Sequence, residues 1–438
     1  MAMKIFQISK INNQEDIYQS EINLFLQKQN QDSQPIIESV QKIITQVRDN
    51  GDQAIIDLCN KFDQTNFSKI SETLVKKEEI EQASINLDKD LKQALETSYQ
   101  RIFNYHQKQM PKDLLYQDQV GVTLGNKWQA IESVAIYAPG GSASYPSSVL
   151  MSAIPAIVAG VKNLTLFSPS KNGKINPAIL YAAQICKIDK IYKIGGAQAI
   201  ATAAYGTKSI KKVDKIVGPG NAYVAMAKKI VYGDVGIDMI AGPTDLTIIA
   251  DSKIAKANWV AADALSQLEH GPDSKAFIIT NDTKFAQEII EQIEILSKKL
   301  SRQQIIQSSL KNSAIFVIDD IEKAYLISNL IAPEHLQIIS DNNDNLLKNI
   351  KNAGAIFLGN FTPEAIGDYI AGPSHTLPTE GTARFASGLS VFDFLKRMSI
   401  ISCDQKSFIK VSSSATSIAD CEGLDGHKLS LLIRNDKN

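Results

Sequence analysis

The chain has little cysteine and no paired cysteine motif. Its 438 residues include only four cysteines, and no two of them form a Cys-x-x-Cys pair. They are Cys59, Cys186, Cys403 and Cys421. Scattered single cysteines argue against a disulfide framework and against a cysteine zinc cage. They are typical of a protein in a reducing compartment, so we expect a cytoplasmic location.

The chain also lacks an excess of charge and a long apolar run. Lys+Arg is 46 and Asp+Glu is 47, for a formal net charge of -1. A nucleic-acid partner is therefore not expected, because such proteins carry a basic patch. The longest mostly apolar stretch, 149–161, is too short to span a bilayer and contains Pro155. Residues 1–10 show no secretory signal, so we expect no membrane association.

Two nucleotide-binding fingerprints are absent as well. The chain has no Gly-x-Gly-x-x-Gly sequence and no P-loop lysine pattern, so an ATPase is not expected. What the chain does contain is short apolar segments that alternate with helical patterns. The pattern of strand, turn and helix predicts an α/β protein with parallel sheets.

The predicted strands fall into two successive sets, which imply two Rossmann-like lobes. The first set comprises 134–137, 163–167, 190–194 and 215–217. The second set comprises 246–250, 276–280, 314–318, 336–339 and 355–358. We name the lobes the middle lobe, 133–244, and the distal lobe, 245–388, to which we also assign 32–132. A helical N-terminal segment, 1–31, and a C-terminal tail, 389–438, complete the chain. The tail is too short to form a core alone and must dock on another surface.

Three glycine turns follow strands of the middle lobe. They are 137–141 (YAPGG), 195–198 (GGAQ) and 218–221 (GPGN). Glycine lets backbone N–H groups approach a phosphate, and ligands of open α/β sheets bind at the carboxyl ends of strands. Three such turns in one lobe favour a nucleotide or dinucleotide site. The alternative is that they are only tight connections between strands and helices.

Most of the histidines lie beside carboxylate or amide side chains and close to glycine. Gln267 and His270 are three residues apart near the end of a predicted helix and share one face. An amide oxygen and an imidazole are plausible ligands of a divalent metal, and Asp368 is a candidate carboxylate. His375 and His427 are further candidates. No compact His-Glu-x-x-His motif is present, so the spacing alone leaves the metal site open.

Glu334 and His335 are adjacent and follow Pro333. An imidazole and a carboxylate in a loop suit proton transfer and activation of water. The alternative is a glutamate at a helix start with a histidine that has no chemical role. His106, on a predicted helix at 76–109, is interpreted as a structural residue.

Taken together, the motifs resemble the histidinol dehydrogenase family. The matching segments occur in the family's order and span about 130 to 427. They are 133–145 (SVAIYAPGGSASY), 195–201 (GGAQAIA), 217–223 (VGPGNAY), 241–245 (AGPTD), 265–273 (LSQLEHGPD), 332–336 (APEHL), 367–384 (GDYIAGPSHTLPTEGTAR) and 422–427 (EGLDGH). Eight ordered motifs form a highly specific signal, although no single one would.

The resemblance implies a zinc-dependent, NAD-linked oxidoreductase that converts L-histidinol to L-histidine through an aldehyde, in two hydride transfers. It implies that the middle lobe binds NAD, that the distal lobe holds zinc and the catalytic pair, and that the tail reaches the partner's site in a homodimer. The zinc ligands so implied are Gln267, His270, Asp368 and His427, and the catalytic pair is Glu334 and His335. The implied NAD contacts are Tyr137, Gln198 and Asn221. The implied substrate contacts are Thr244, His375 and Glu422, together with His335 and the four zinc ligands.

One departure from the family pattern is visible. The family usually has Ser-Glu where this chain has Thr244 and Asp245. Threonine keeps the hydroxyl, and its added methyl group changes the fit of a substrate. Two rival functions remain at this stage, namely a zinc hydrolase that uses Glu334 to activate water and a nucleotide-binding module without catalysis.

Overall fold

Two lobes, each built on a parallel β-sheet with helices on both faces, form the protein. The computed structural model describes residues 3–8, 22, 25, 26, 34–140 and 144–435. A small antiparallel sheet of three strands adjoins the lobes. The predicted α/β class with two parallel sheets is confirmed. Parallel sheets with both faces covered explain why the predicted strands are continuous apolar runs.

The elements are numbered in chain order. The strands are β1 (Lys4–Ile8), β2 (Leu114–Gln117), β3 (Thr123–Ala130), β4 (Ser133–Tyr137), β5 (Asn163–Phe167), β6 (Lys190–Tyr192), β7 (Lys215–Val217), β8 (Gly236–Ile237), β9 (Asp245–Ala250), β10 (Lys275–Thr280), β11 (Ala314–Ile318), β12 (His335–Ile339), β13 (Ala355–Leu358) and β14 (Leu395–Ser402). The helices are α1 (Gln34–Phe62), α2 (Lys77–Asn86), α3 (Lys89–Gln107), α4 (Pro146–Ala159), α5 (Pro177–Ile185), α6 (Gly196–Tyr205), α7 (Ala222–Val231), α8 (Ala257–Leu268), α9 (Thr283–Ser297), α10 (Gln303–Ser309), α11 (Ala324–Ile331), α12 (Asn343–Asn349), α13 (Glu364–Tyr369), α14 (Gln405–Cys421) and α15 (Asp425–Leu432).

The middle lobe has the strand order β6-β5-β4-β7-β8, and every pairing is parallel. The chain reverses its direction of travel across the sheet between β4 and β7. The carboxyl ends of these two strands carry the first and third glycine turns. A crevice forms at such a reversal, because the connections that follow the two strands run on opposite faces of the sheet.

The distal lobe has the order β1-β11-β10-β9-β12-β13, again with parallel pairings throughout. One face is covered by α8, α9 and α10, and the other by α11 and α12. The strands β9, β11 and β12 are buried at every position. The candidate catalytic pair, Glu334 and His335, lies at the start of the buried strand β12.

The helices of 34–107 pack on the middle lobe, not on the distal lobe to which we assigned 32–132. Val40 and Ile44 of α1 share a core with α6 and α7, and Leu95 and Ile102 of α3 share a core with α4. The assignment was wrong because periodicity shows that a helix has an apolar face and does not show which sheet covers it. The helix α1 runs from Gln34 to Phe62 through a kink at Gly51.

The N-terminal segment 1–31, predicted to be helical, contributes a strand. The strand β1 pairs with β11 at the edge of the distal sheet, and Phe6 stacks on Phe316 with ring centroids 5.6 Å apart. Ile22, Phe25 and Leu26 are helical. The rest of the predicted segment lies outside the described residues.

The C-terminal tail docks on the rest of the chain through β14. This strand pairs antiparallel with β3 along eight residues, and β3 also pairs with β2. The helices α14 and α15 then pack on each other. Among the parts of the chain that the structure describes, no helix combines the length and the apolar character that crossing a bilayer requires.

Candidate functional site

The amino ends of two neighbouring strands of the distal sheet carry the first group of candidate residues. Thr244 and Asp245 lie at the start of β9, and Glu334 and His335 lie at the start of β12. His335 pairs with Leu246 in the sheet register, so both ends meet at one edge. Ligands of open α/β sheets usually bind at carboxyl ends, and this lobe departs from that rule.

Two helices bring the second group to the same edge. Gln267 ends α8 and is completely buried, and His270 follows in the turn that leaves the helix. Glu364 and Asp368 lie on α13, four residues apart and therefore on one face. The two helices are in contact. The fold thus joins segments separated by about a hundred residues at one place.

These side chains form a compact carboxylate–histidine cluster, which we define as His270, Glu334, His335, Glu364, Asp368 and His375. Nε2 of His335 lies 3.9 Å from Oδ1 of Asp368, and Nδ1 of His335 lies 3.8 Å from both Oε2 of Glu334 and Oε1 of Glu364. Nδ1 of His375 lies 3.7 Å from Oδ1 of Asp368. Nε2 of His270 lies 4.0 Å from Oδ2 of Asp368.

Thr244 and Gln267 line the cluster. Thr244 Oγ1 lies 2.5 Å from Oε2 of Glu334 and 2.6 Å from the side-chain amide of Gln267. The backbone N–H of Asp245 donates a second hydrogen bond to Oε2 of Glu334, at 3.2 Å. Two donors therefore surround the same carboxylate oxygen, while among the described residues none donates to Oε1.

The His335 ring is held in one tautomer by its backbone contact. Nδ1 lies 3.2 Å from the carbonyl oxygen of Asp245, an acceptor only, so Nδ1 carries the hydrogen. Nε2 then has a free lone pair, and no group of the described residues donates to it. Burial lowers the pKa of His335 to about 4, against the opposing charge of Asp368. The imidazole is therefore neutral near pH 7 and can accept a proton.

Burial also dominates the carboxyl groups of the site. It raises the pKa of Glu334 well above the ordinary value, and the charge of Asp245 adds to the rise. It raises the pKa of Glu364 in the same way, with contributions from Asp368 and Glu334. The pKa of Asp245 is raised to about 7, again mainly by burial. Such a concentration of buried acids marks a functional site, because a fold gains no stability from it.

The donor set of the cluster fits a divalent cation. One ligand atom each from His270, Glu364 and Asp368 lie within 4.8 Å of one another. Imidazole nitrogen and carboxylate oxygen are ligands that Zn²⁺ accepts, and the amide oxygen of Gln267 is a further hard donor. The burial of the Asp245, Glu334 and Glu364 carboxyl groups close to one another also favours a bound positive charge.

His375 joins the cluster to the middle lobe. Its Nδ1 lies 3.0 Å from the carbonyl oxygen of Asp368, and its Nε2 lies 3.4 Å from Oγ of Ser148 in the first turn of α4. The neighbouring Ser374 donates to the carbonyl oxygen of Met151. Because α4 follows the first glycine turn, these contacts connect the cluster with the helix at that turn. Burial lowers the pKa of His375.

The three glycine turns of the middle lobe converge on Tyr137. The backbone N–H of Gly196 donates to the Tyr137 hydroxyl at 3.1 Å, and burial raises the pKa of that hydroxyl to about 12. Gly218 has φ +117°, and a Cβ there would lie 2.1 Å from the carbonyl oxygen of Tyr137. Gln198 is buried in the first turn of α6, against Gly196. Gly141 of the first turn lies outside the described residues.

A buried ion pair fixes the third turn. Lys228 Nζ forms an ion pair with Asp238 and donates to the carbonyl oxygen of Gly218 at 3.0 Å. Asp238 accepts the backbone N–H of the same glycine at 2.8 Å. Asn221 is the N-cap of α7, and its side-chain oxygen accepts two backbone N–H groups at 3.1 Å. The turn therefore presents a capped helix N-terminus to the cleft.

The structure does not bring the candidate residues of the tail to this cluster. Glu422 is the C-cap residue of α14, His427 lies in the first turn of α15, and both are exposed. No hydrogen bond or ion pair connects either side chain with the cluster in the described part of the chain. Within one copy of the chain, Gln267, His270 and Asp368 therefore lie at the cluster without His427.

Sequence reasoning missed Glu364, although a signal for it exists. Asp368 was identified as a candidate ligand, and Glu364 lies four residues before it in a helical pattern. A carboxylate at that spacing shares the face of the first. Asp245 was noted only as a departure from a family pattern, yet its backbone carbonyl sets the tautomer of His335.

Comparisons with known proteins match nearly the whole chain to one family. The family model described as histidinol dehydrogenase matches residues 26–435. The chain is 43% identical to a histidinol dehydrogenase of Nitrosomonas europaea, covering 97% of this chain and 98% of the relative. It is 46% identical to histidinol dehydrogenase 1 of Nostoc sp., covering 90% and 91%. The crystal structure of a histidinol dehydrogenase from Elizabethkingia anophelis superposes with a TM-score of 0.91 at 37% identity, covering 99% and 98%.

Proposed function

Because the chain belongs to the histidinol dehydrogenase family, we propose that it oxidises L-histidinol to L-histidine through L-histidinaldehyde, with two hydride transfers to NAD. This reaction forms the last steps of histidine biosynthesis. The observation that carries the proposal is the carboxylate–histidine cluster, whose His375 contacts Ser148 in the helix that follows the first glycine turn. Such a site combines groups that move protons with a cradle for a dinucleotide.

One zinc ion per subunit is part of the proposal. Gln267, His270 and Asp368 would hold it, with His427 from a second copy of the chain. When bound, zinc supplies a Lewis acid that orients the substrate's amino group and imidazole. The close approach of ligand atoms from His270 and Asp368 supports this assignment. Orientation of the reacting carbon against the cofactor is a large part of catalysis.

The middle lobe is the proposed site of NAD. Tyr137, Gln198 and Asn221 would contact it, and the cofactor supplies a hydride acceptor when bound. The exposed N-terminus of α7 suits an anionic group of the dinucleotide, since the helix dipole favours negative charge there. Asn221 keeps its side-chain nitrogen for this contact, because its oxygen caps the helix.

His335 is the proposed base for the alcohol. Its protonated Nδ1 faces a backbone carbonyl, so Nε2 accepts the hydroxyl proton as the hydride leaves the substrate carbon. The depressed pKa keeps the ring neutral and ready before the reaction. Asp368, 3.9 Å from Nε2, stabilises the imidazolium that forms.

Glu334 is the proposed base for water in the second oxidation. Its Oε2 is held by Thr244 and by the backbone N–H of Asp245, which leaves Oε1 for a water molecule. Removal of a proton from that water would hydrate the aldehyde and prepare it for loss of the second hydride. Thr244, His375 and Glu422 are the proposed lining of the histidinol pocket, with Glu422 from the second copy.

A homodimer with shared sites completes the proposal. Ile409, Ile418, Leu429 and Ile433 of the tail expose 54%, 60%, 63% and 62% of their surface. A tail with such exposed apolar side chains favours a protein partner, and a second copy is the simplest one. A cytoplasmic location is proposed as well, in agreement with four free cysteines.

The test is an assay of purified protein with histidinol, NAD and zinc. We expect two NADH for each histidine formed, and loss of activity with a chelator. Turnover of a substrate without NAD would instead support a zinc hydrolase. Binding of nucleotide without NADH formation and without stoichiometric metal would support a module that only binds.

A further inference from the structure

Glu364 is a buried carboxylate for which the proposed reaction has no use so far. It begins α13, and 2% of its surface is exposed. Its neighbours within the cluster are His335, with Nδ1 at 3.8 Å, and the side-chain amide of Gln267. A buried acid in close contact with a proposed metal ligand requires a physical explanation.

The contact with Gln267 depends on which way its amide points. With the nitrogen toward Thr244, the amide oxygen faces both Glu364 oxygens, and an ionised Glu364 carboxylate offers this oxygen no hydrogen. With the nitrogen toward Glu364, the amide donates to Oε1 at 2.8 Å and to Oε2 at 3.0 Å. The amide oxygen then lies 2.6 Å from Thr244 Oγ1, whose one hydrogen is shared between this oxygen and Oε2 of Glu334. Hydrogen-bond pairing therefore favours the second orientation.

We propose that Glu364 is a positioning residue that fixes the Gln267 amide by accepting its N–H groups. The amide oxygen is thereby turned away from the carboxylate. Of its two lone pairs, one accepts from Thr244, and the other remains for a metal ion. Partners that orient a metal ligand in this way contribute to metal affinity without contacting the metal. The inference rests on the proposed function of this site.

Two substitutions separate hydrogen bonding from charge. Glu364→Gln keeps the length and one acceptor oxygen but removes the charge. Glu364→Asp keeps the charge but withdraws the oxygens by one methylene. Zinc affinity is measured by competition with a chelator on the purified protein, and circular dichroism of the metal-free form checks folding. We expect Glu364→Gln to stay within a few-fold of the parent and Glu364→Asp to bind zinc about 10-fold or more weakly.

A double-substitution cycle tests whether Glu364 acts through Gln267. In a Gln267→Ala background the amide is gone, so Glu364→Asp should cause no further loss of zinc affinity. Losses that multiply would show that Glu364 binds the metal itself and would overturn the proposal. Stronger loss in Glu364→Gln than in Glu364→Asp would also overturn it, because charge would then be its role.

Zinc binding by the unsubstituted protein distinguishes a failure of this inference from a failure of the proposed function. Absence of zinc binding by the parent would contradict the zinc site as a whole. Zinc binding by the parent that both Glu364 variants match would contradict only the role of Glu364.

Discussion

His335 and Glu334 have different partners, so their substitution should have different effects. His335→Asn removes the base of the first step and the ring that faces Asp368, and we expect both oxidations to fall by about 10²–10⁴-fold. Glu334→Gln should mainly slow oxidation of the aldehyde. Rates measured separately with histidinol and histidinaldehyde check this. Equal loss of both steps in the Glu334 variant would contradict the assignment.

Asp63 lies beside the second glycine turn, and burial raises its pKa to about 6. Its Oδ2 is buried and accepts no hydrogen bond from the described residues. The folded state binds the proton more tightly than the unfolded state. The stability from this group is therefore full below pH 4 and is lost as the pH rises through about 6.

Asp63→Asn should remove the loss of stability that ionisation of this carboxyl causes as the pH rises. The two proteins should unfold with similar free energy near pH 4. At pH 7 the variant should be more stable, on the order of 1–2 kcal/mol, since the carboxyl is partly exposed to solvent. Urea unfolding at both pH values measures the difference, with Asp49→Asn on an exposed position of α1 as the control. A difference that does not change with pH would exclude Asp63 as the cause.

At the level of elements, α13 packs closely against β13 because Gly367 has no side chain. A Cβ on Gly367 would lie 2.5 Å from the Phe357 ring, and that ring lies 6.0 Å from the His335 ring between centroids. The glycine therefore sets how closely the helix that carries Glu364 and Asp368 approaches the sheet. A helix displaced by about 1 Å can reduce catalysis by about 10²-fold.

Gly367→Ala should cause such a displacement. We expect kcat/KM for histidinol to fall by about 10²-fold, while the far-ultraviolet circular dichroism stays unchanged. Addition of Phe357→Leu removes the ring atoms in conflict and should restore part of the activity. A double variant no more active than Gly367→Ala would show that the clash with Phe357 is not the cause.

The third glycine turn depends on the pair Lys228–Asp238, whose side chains are 2% and 0% exposed. Lys228→Met would leave the Asp238 carboxylate buried without its partner. We expect a loss of about 3–5 kcal/mol in unfolding free energy and a higher KM for NAD. Addition of Asp238→Asn removes the charge, keeps an acceptor for the Gly218 N–H, and should recover stability. Urea unfolding that shows equal loss in both variants would contradict this account.

At the scale of the whole molecule, the C-terminal tail and the carboxylate–histidine cluster are separate within one copy. Within one copy, His427 is exposed and apart from the cluster. If the tail of each copy completes the other copy's site, a dimer with His335→Asn in one copy and His427→Asn in the other has one intact site. This site combines the unchanged cluster of one copy with the unchanged tail of the other.

Coexpression or refolding of a mixture of the two inactive variants tests this arrangement. With random pairing, half of the dimers are mixed, and each has one of two sites active, so about a quarter of parental activity should return. The same mixture of His335→Asn with Glu334→Gln is the control and should form no more histidine than the two variants do separately, because both changes lie in the cluster. No recovery in the first mixture would place the whole site within one copy.

Nine of the eleven strands described in the two parallel sheets, all except β1 and β8, could be predicted because each is a short apolar run that ends near a turn. Burial on both faces makes such runs visible without knowledge of the neighbours. The strands β2 and β14 were not predicted. All four residues of β2 are exposed, β14 is exposed along most of its length, and neither strand has the strict alternation of apolar and polar residues that marks a half-buried strand. Their pairing depends on β3 as a partner and not on local composition.

The fold class, the glycine turns and most candidate site residues could be predicted from the chain alone, because apolar period, turn residues and motif order are local properties. Tertiary structure alone decided that Thr244, Glu334 and Gln267 meet at the amino edge of the distal sheet. It also decided that 34–107 cover the middle lobe, and that Glu364 contacts Gln267. The reason is physical: contacts between distant segments, and the burial that shifts their pKa values, exist only after the sheets have packed.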